Sequence, residues 1–367
     1  MKTAILTHCE FKDKVFTLHN GFSFGSHAME GEHIFVINHQ YPDLSNYDKI
    51  LLSAIFKHQI PDNVDDRWVI GGPAISNQFP DKISKDWISG GSTLCKESLE
   101  NYLKIPKDDT FSSYWDSFIS NLDIAFIKYA ASCSTRCYYN SCVYCNKKYN
   151  DPNSVRDISK VISKLPKYSF PGFCYLVQGS VYPEQLDVAI KNPTQNLMYR
   201  IHARADKEII SLIEEAEDLS HIGLVLALEN LSQKCADMFN KNLSIIDTLK
   251  LAKLVTNKGG KILFTMISKA PVIDVQNTIK NLHYIIENLP PERVMFWDSV
   301  YIEWPDEKTA KKFGPYTIKK VPFNEYNHFI MNNDIIIVTN QNLEVDYISE
   351  MILRVLRNYG YNIESRF

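Results

Sequence analysis

Cys137, Cys142 and Cys145 are separated by four and then two residues, with Cys133 just upstream, and their thiols are the groups in this chain best placed to do chemistry. These are four of the eight cysteines, while Cys9, Cys95, Cys174 and Cys235 are scattered singly. Thiolates packed this closely, on a chain whose first residues hold no apolar leader, are metal ligands more often than disulfide partners. Three readings of the loop are open. A structural zinc site would use all four thiolates, but such sites usually pair two Cys-x-x-Cys knuckles across a longer insert, and none is present. A group of unligated core thiols fits a polar, tyrosine-rich loop poorly, although lone cysteines are often buried. A 4Fe–4S cluster held by three cysteines, with one iron open to an outside ligand, accounts best for the triplet and leaves Cys133 spare.

Tyr144 precedes the last cysteine of the triplet, and Tyr138 and Tyr139 follow the first. With these aromatics the loop resembles the cluster loop of radical S-adenosylmethionine (SAM) enzymes. The commonest spacing in that superfamily is three then two. Four then two resembles a subgroup of cobalamin-type members that includes peptide-modifying methyltransferases. The resemblance implies a 4Fe–4S cluster on Cys137, Cys142 and Cys145, with SAM chelated at the open iron through its amino and carboxylate groups. It also implies cobalamin as a further cofactor, a peptide or small-molecule substrate, and an electron donor such as flavodoxin or ferredoxin. In such enzymes an electron splits SAM to a 5′-deoxyadenosyl radical; the cofactors carry that chemistry and the protein supplies position and shielding.

The elements that must position the loop are legible as an alternation of strands and helices. Residues 124–130 read as a strand running directly into the cysteines. A helix with Ser154 as N-cap and Val155, Ile158, Val161, Ile162 and Leu165 on one face follows. Strands are predicted over 173–178, 196–201, 223–228, 261–266 and 293–297. Between them lie a helix opened by Asp206 on Ile209, Ile210 and Ile213, and a helix on Ile246, Leu249 and Leu254 closed by Gly259 and Gly260. A further helix, capped by Asp274, stops at Pro290 and Pro291. Six strands with helical crossovers imply a parallel α/β sheet whose strand C-terminal ends carry the chemistry. The period does not separate an open sheet from an incomplete barrel. The resemblance implies the partial (β/α)6 TIM barrel of radical SAM type.

Arg204, Glu229, Ser232 and Lys241 fall along this half in an order similar to cobalamin-type and methylthiolating radical SAM enzymes. The resemblance places Arg204, Glu229 and Lys241 around the amino acid and ribose of SAM, with Ser232 following the glutamate. A carboxylate suits an ammonium or ribose hydroxyls, and a cation suits the SAM carboxylate. The plainer readings are a strand-end cap for Glu229 and a solvated helix-end charge for Lys241. Gln178 and Ser180 flank Gly179 where relatives carry a Gly-Gly-Glu turn for the SAM amino group, a departure from that motif. Trp297, Asp298 and Tyr301 are candidates to line a cavity, although aromatics at strand spacing are more often core.

Upstream, strands are predicted over 3–7, 33–37, 49–53, 68–70 and 87–89. Gly71 and Gly72 follow one of them, and Gly90 and Gly91 another. Paired glycines let backbone approach a ligand closely, or simply mark a tight turn. The order of these pieces resembles the Rossmann-like cobalamin-binding domain that precedes the barrel in many radical SAM enzymes. The Asp-x-His-x-x-Gly pattern that supplies an axial histidine there is absent; His19 to Gly21 has neither its aspartate nor its spacing. The expected organisation is a Rossmann-like domain over 1–110, a linker over 111–123, the radical SAM barrel over 124–314, and a small α+β tail over 315–367. That tail, with a strand at 334–339 and a helix on Ile348, Met351, Ile352 and Val355, either closes the barrel's open side or recognises substrate.

Composition narrows the classes further. Of 367 residues, 45% are hydrophobic and 23% charged, which is ordinary for a globular protein. A net charge of −3 argues against a broadly basic nucleic-acid surface. No apolar run approaches the roughly 20 residues that span a bilayer, so a cytoplasmic protein without a membrane partner is expected. Auxiliary clusters need further cysteine groups, which are lacking, so one cluster is expected. The leading reading is a cobalamin-dependent methyltransferase acting on unactivated carbon. Its alternatives are a radical SAM enzyme without cobalamin and a zinc-stabilised binding module without turnover.

Overall fold

The computed structural model describes residues 2–18, 32–53, 59–71, 123–134, 137–139, 141–143, 158–163, 165, 169–177, 179–270, 272–299, 303–304, 308, 317–322, 334–339 and 343–365. Within them the molecule is a mixed α/β protein dominated by one twelve-stranded, mostly parallel sheet. The first strands are β1 (Thr3–Lys12), β2 (Val15–Leu18), β3 (Glu32–Ile37), β4 (Lys49–Ser53) and β5 (Trp68–Gly71). β1 pairs in parallel with β3 and β4, and β4 with β5. In chain order these parallel strands lie 2-1-3-4, the doubly wound order that puts a crevice at the strand C-terminal ends. Ala4, Leu6, Val36, Ile50, Leu52 and Ile70 form their core.

The second half contains β6 (Phe126–Ser134), α1 (Ile158–Ser163), β7 (Gly172–Val177), α2 (Pro183–Lys191), β8 (Leu197–His202), α3 (Lys207–Glu215) and β9 (Ile222–Glu229). α4 (Gln233–Met238), α5 (Ile245–Asn257), β10 (Lys261–Met266), α6 (Val275–Asn288) and β11 (Val294–Asp298) complete it. β6 to β11 are adjacent in chain order and all parallel. The helices bury one face each: on α3, Ile209 and Ile213 are fully enclosed one turn apart, each worth about 1.5–3 kcal/mol. Asp274 caps α6 by accepting a hydrogen bond from the Asn277 N–H at 3.1 Å. Strand residues alternate accordingly. Tyr199, Ile201, Leu224, Leu226 and Phe264 join the helices in the main core, whereas Phe173, Val225 and Leu263 are buried outside it, on the opposite face.

β1 joins the halves. Cys9 pairs with Ile37 of β3 on one edge and with Leu18 of β2 on the other, while β4 shares that second edge over Thr3 to Leu6. β2 runs antiparallel to β1 and parallel to β6. The C-terminal ends of β4 and β2 therefore meet head to head beside Thr7 and His8. The strand ends of the first half thus face the end of β6, from which the cysteine loop departs. The hairpin strand β2 is not anticipated from sequence, because four residues offer too little periodicity.

β12 (Glu303–Trp304), β13 (Thr317–Pro322) and β14 (Asp334–Thr339) form a separate antiparallel sheet. α7 (Leu343–Asn358) then leads into β15 (Asn362–Ser365), which pairs in parallel with β11 and extends the main sheet by one strand. Tyr361 locks this return by placing its hydroxyl 2.9 and 2.7 Å from the Ile285 and Leu289 carbonyls, which share its one donated proton. Among the described residues no helix is long and apolar enough to cross a membrane.

Candidate functional site

β6 carries the chain into the cysteine loop through an irregularity: Ala130 is opposite Tyr175, but Ser134 is already opposite Val177. Cys133 lies inside that slipped stretch. Cys137 then docks on the turn after β7. The Tyr138 N–H donates to the Ser180 carbonyl at 2.9 Å, and the Ser180 N–H points at the Cys137 sulfur at 3.4 Å. Gly179 makes this approach possible. A β-carbon there would lie 2.8 Å from Cys137 Cα and 2.9 Å from its Cβ, closer than real side chains come. The glycine seats the cysteine, and the N–H donated to sulfur stabilises a thiolate. Cys137 and Cys142 are both half-buried and reduced.

The other side of the loop is held by the turn after α4. The Val143 N–H donates to the Phe239 carbonyl at 3.1 Å, and the Asn240 side chain donates to the Ser141 carbonyl at 3.0 Å. The Tyr139 hydroxyl donates to the Asn240 carbonyl. Arg204 lies with its guanidinium 3.9 Å from the Tyr139 ring centre and bonds Asp206 at 3.1 Å and the Asn242 carbonyl at 2.8 Å. Burial raises the Tyr139 pKa above its usual value, opposed by Arg204, so the hydroxyl remains a donor. Tyr139, Arg204 and the Asn240–Asn242 turn thus form a clasp on the cysteine loop. Asn240 and Asn242 have φ of 51° and 44°, a left-handed conformation that asparagine tolerates better than most residues.

Lys241, between the two asparagines, is 6% exposed and forms an ion pair with Glu229, which is 2% exposed. Glu229 ends β9 with φ of 53°, and Leu231 follows with 66°. Non-glycine residues in this region cost about 1–3 kcal/mol each and concentrate where the fold serves a site. Ser232 stands just before α4 without a side-chain bond to it; its hydroxyl instead accepts the Asp274 N–H at 2.9 Å, fastening the end of β9 to the start of α6. At the next strands, buried Asp298 accepts from the Ser268 N–H and hydroxyl at 3.1 and 2.7 Å. Cys235 is wholly buried beside the Glu229–Lys241 pair. Its thiol is pushed well above its usual range by burial first and the glutamate second, so it is an inert core thiol.

Of the residues singled out in the sequence, Cys137, Cys142, Ser180, Arg204, Glu229 and Lys241 therefore gather around one loop at the strand ends. Ser232 adjoins them as a structural tie. Gly71 ends β5, in the half whose strand ends face β6. Cys145, Tyr144, Gln178, Gly72, Gly90 and Gly91 lie outside the described residues. Among the described residues no three His, Cys, Asp or Glu side chains converge on one point. Sequence reasoning missed the roles of Gly179, Tyr139 and Asn240. The Asn-Lys-Asn triplet at 240–242 was the available signal, since two asparagines flanking a lysine mark left-handed turns.

No protein-family model and no curated sequence matches the chain. Solved structures do. The cobalamin-dependent SAM radical enzyme OxsB, with aqua-cobalamin and SAM bound, aligns with TM-score 0.54 and 11% identity over 98% of this chain and 67% of its own. Its apo, selenomethionine-labelled form gives 0.51 over the same shares. The radical SAM methyltransferase TsrM from Kitasatospora setae, with cobalamin and a [4Fe-4S] cluster bound, aligns with TM-score 0.41 and 11% identity over 62% of this chain and 52% of its own. Over 98% of its length the chain thus shares the fold of OxsB.

Proposed function

We propose that the protein is a radical SAM enzyme. The observation that carries this reading is the clasped cysteine loop at the end of β6, seated on Gly179 and abutting the buried Glu229–Lys241 pair. Cys137, Cys142 and Cys145 would hold a 4Fe–4S cluster, and the donor set fits: two half-buried reduced thiols, one of them facing a backbone N–H. A cluster held by these thiols would supply the electron for cleavage of SAM to methionine and a 5′-deoxyadenosyl radical. Glu229 and Lys241 supply one negative and one positive charge in a nearly dry setting, matched to the ammonium and carboxylate of an amino acid. Arg204 and Tyr139 hold the loop still, so that the sulfurs keep their spacing without rearrangement.

The finer reading is a cobalamin-dependent methyltransferase. Support comes from the 2-1-3-4 order of the N-terminal strands and from their ends facing the cysteine loop across β1. A flat cofactor held between two sets of strand ends suits that arrangement. On this reading residues 1–110 are a Rossmann-like cobalamin-binding domain, 111–123 a linker, 124–314 a partial barrel curled from β6–β11, and 315–367 a cap. The substrate is a peptide or small molecule, and a flavodoxin or ferredoxin donates the electron. The test is anaerobic reconstitution with iron, sulfide, SAM and dithionite, with and without hydroxocobalamin. The expected result is 5′-deoxyadenosine and a corrinoid that stays with the protein through gel filtration. Production of 5′-deoxyadenosine without retained corrinoid would leave a radical SAM enzyme and remove the cobalamin.

A further inference from the structure

The sheet face away from the helices carries a cation without a counter-ion among the described residues. On β8, Leu197, Tyr199 and Ile201 enter the helix-side core, so Met198, Arg200 and His202 belong to the other face. The Arg200 guanidinium lies 3.6 Å from the centre of the Phe173 ring, and its terminal nitrogen donates to the Tyr175 hydroxyl at 3.1 Å. Phe173 and Tyr175 meet edge to face, at 5.5 Å between centroids. Stacking and one hydrogen bond fix the guanidinium plane and leave most of its five N–H donors unspent. Arg204 and Arg67 each pair with a carboxylate, whereas Arg200 forms no ion pair among the described residues. Lys128, on the neighbouring strand, points its ammonium at the same Phe173 ring from 5.9 Å and likewise forms no ion pair there.

A half-buried guanidinium without an anion forfeits hydration and receives no Coulomb return, so an anion arriving beside it is favoured. On the β9 side Gly223 is directly opposite Arg200 in register and adds no side chain of its own; the flexible Met198 thioether fills that place, 3.1 Å from where a β-carbon would stand, beside the Tyr199 carbonyl at 3.5 Å. Arg200 is four residues before Arg204, about 13 Å along the strand from the clasp. An anion held there belongs to a molecule long enough to present carbon at the strand ends.

We propose that Arg200, fixed by Phe173 and Tyr175 and assisted by Lys128, anchors a carboxylate or phosphate of the substrate on this face. The role assigned to that anion rests on the radical SAM reading; anion binding itself does not. The test is arginine labelling of the full-length protein by phenylglyoxal, with mass-spectrometric readout at Arg200, before and after cluster reconstitution. Inorganic phosphate and succinate are compared with sodium chloride at equal ionic strength. For an anion bound with Kd on the order of 10 mM, about 50 mM slows Arg200 labelling about sixfold. Slow labelling of Arg204, tied to Asp206 and Tyr139, stays unaffected. Protection by phosphate alone identifies a phosphate ester, and protection by succinate alone or by both anions identifies a carboxylate-tolerant anchor; each supports the proposal. Arg200 labelling that neither anion slows relative to chloride overturns it. Protection in protein that assembles no cluster keeps the anchor and removes the radical SAM reading, so the two fail separately.

Discussion

In the N-terminal half, Arg67 binds Asp65 at 2.7 Å and the carbonyls of Leu44 and Tyr47 at 3.0 and 3.1 Å, at the surface, where it fastens one loop to another. In the β6–β11 half, Lys241 and Glu229 pair in a nearly water-free setting, between backbone residues held in the left-handed region. The two ion pairs are chemically alike and energetically different. Exposed pairs contribute about 0–1 kcal/mol because water and salt screen them. A buried pair gains little net stability either, but losing one partner strands a charge. The second half thus keeps charge where folding gains little from it, the contrast on which the proposed ligand role rests, and the first keeps charge where any loop would.

Disruptions of decreasing size sharpen that contrast. Replacing Cys137, Cys142 and Cys145 together by serine should abolish iron retention, read by metal analysis of anaerobic protein. In the N-terminal half, Cys9, whose thiol burial raises to about 12, should be replaceable by serine with no loss of iron. Glu229→Gln should destabilise by about 3–5 kcal/mol in urea titration, since Lys241 stays buried without its anion. Asp65→Asn in the surface pair should cost no more than about 1 kcal/mol. If the two cost the same, the distinction between the halves fails.

Gly179→Ala should cost about 1–3 kcal/mol and, more tellingly, lower iron content at reconstitution, because the added carbon meets the Cys137 backbone. Asn240→Ala should cost about 1–2 kcal/mol by removing a hydrogen bond and forcing alanine into the left-handed region. Asn240→Gly, which relieves only the backbone, should lie between the two. The smallest effect concerns Tyr139. Its pKa is raised in the folded state, so the contribution of the neutral hydroxyl is full below the ordinary tyrosine value and lost as pH rises towards the folded value. The stability difference between wild type and Tyr139→Phe should therefore be flat below about pH 10 and shrink above it. A difference that grows above that pH would mean the hydroxyl is ionised in the clasp.

The same contrast explains what the sequence disclosed. Strand β10 (Lys261–Met266) and strand β14 (Asp334–Thr339) are found at the residues expected, and helices start after Asp206 and Asp274, because apolar period is local; only Asp274 makes a side-chain cap, while Asp206 pairs with Arg204. The buried Glu229 and Lys241 were reached through their order along the chain, not their surroundings. β2 and β15 were missed, since each has only four residues; β2 is a hairpin partner of β1 too short to show a period, and β15 is defined by a partner far away in sequence, Met295 to Asp298. The clasp was missed for the same reason. Stacking of Arg204 on Tyr139 and the reach of Asn240 to Ser141 are tertiary contacts that no spacing announces.

The central claim is that three thiolates of one loop leave one iron of a cluster open to SAM. Electron paramagnetic resonance of the dithionite-reduced, reconstituted protein tests it most directly. The account predicts a [4Fe–4S]⁺ signal that changes shape when SAM is added, in protein carrying about four irons per chain. A colourless protein holding zinc, or a reduced cluster whose signal SAM leaves unaltered, would contradict it.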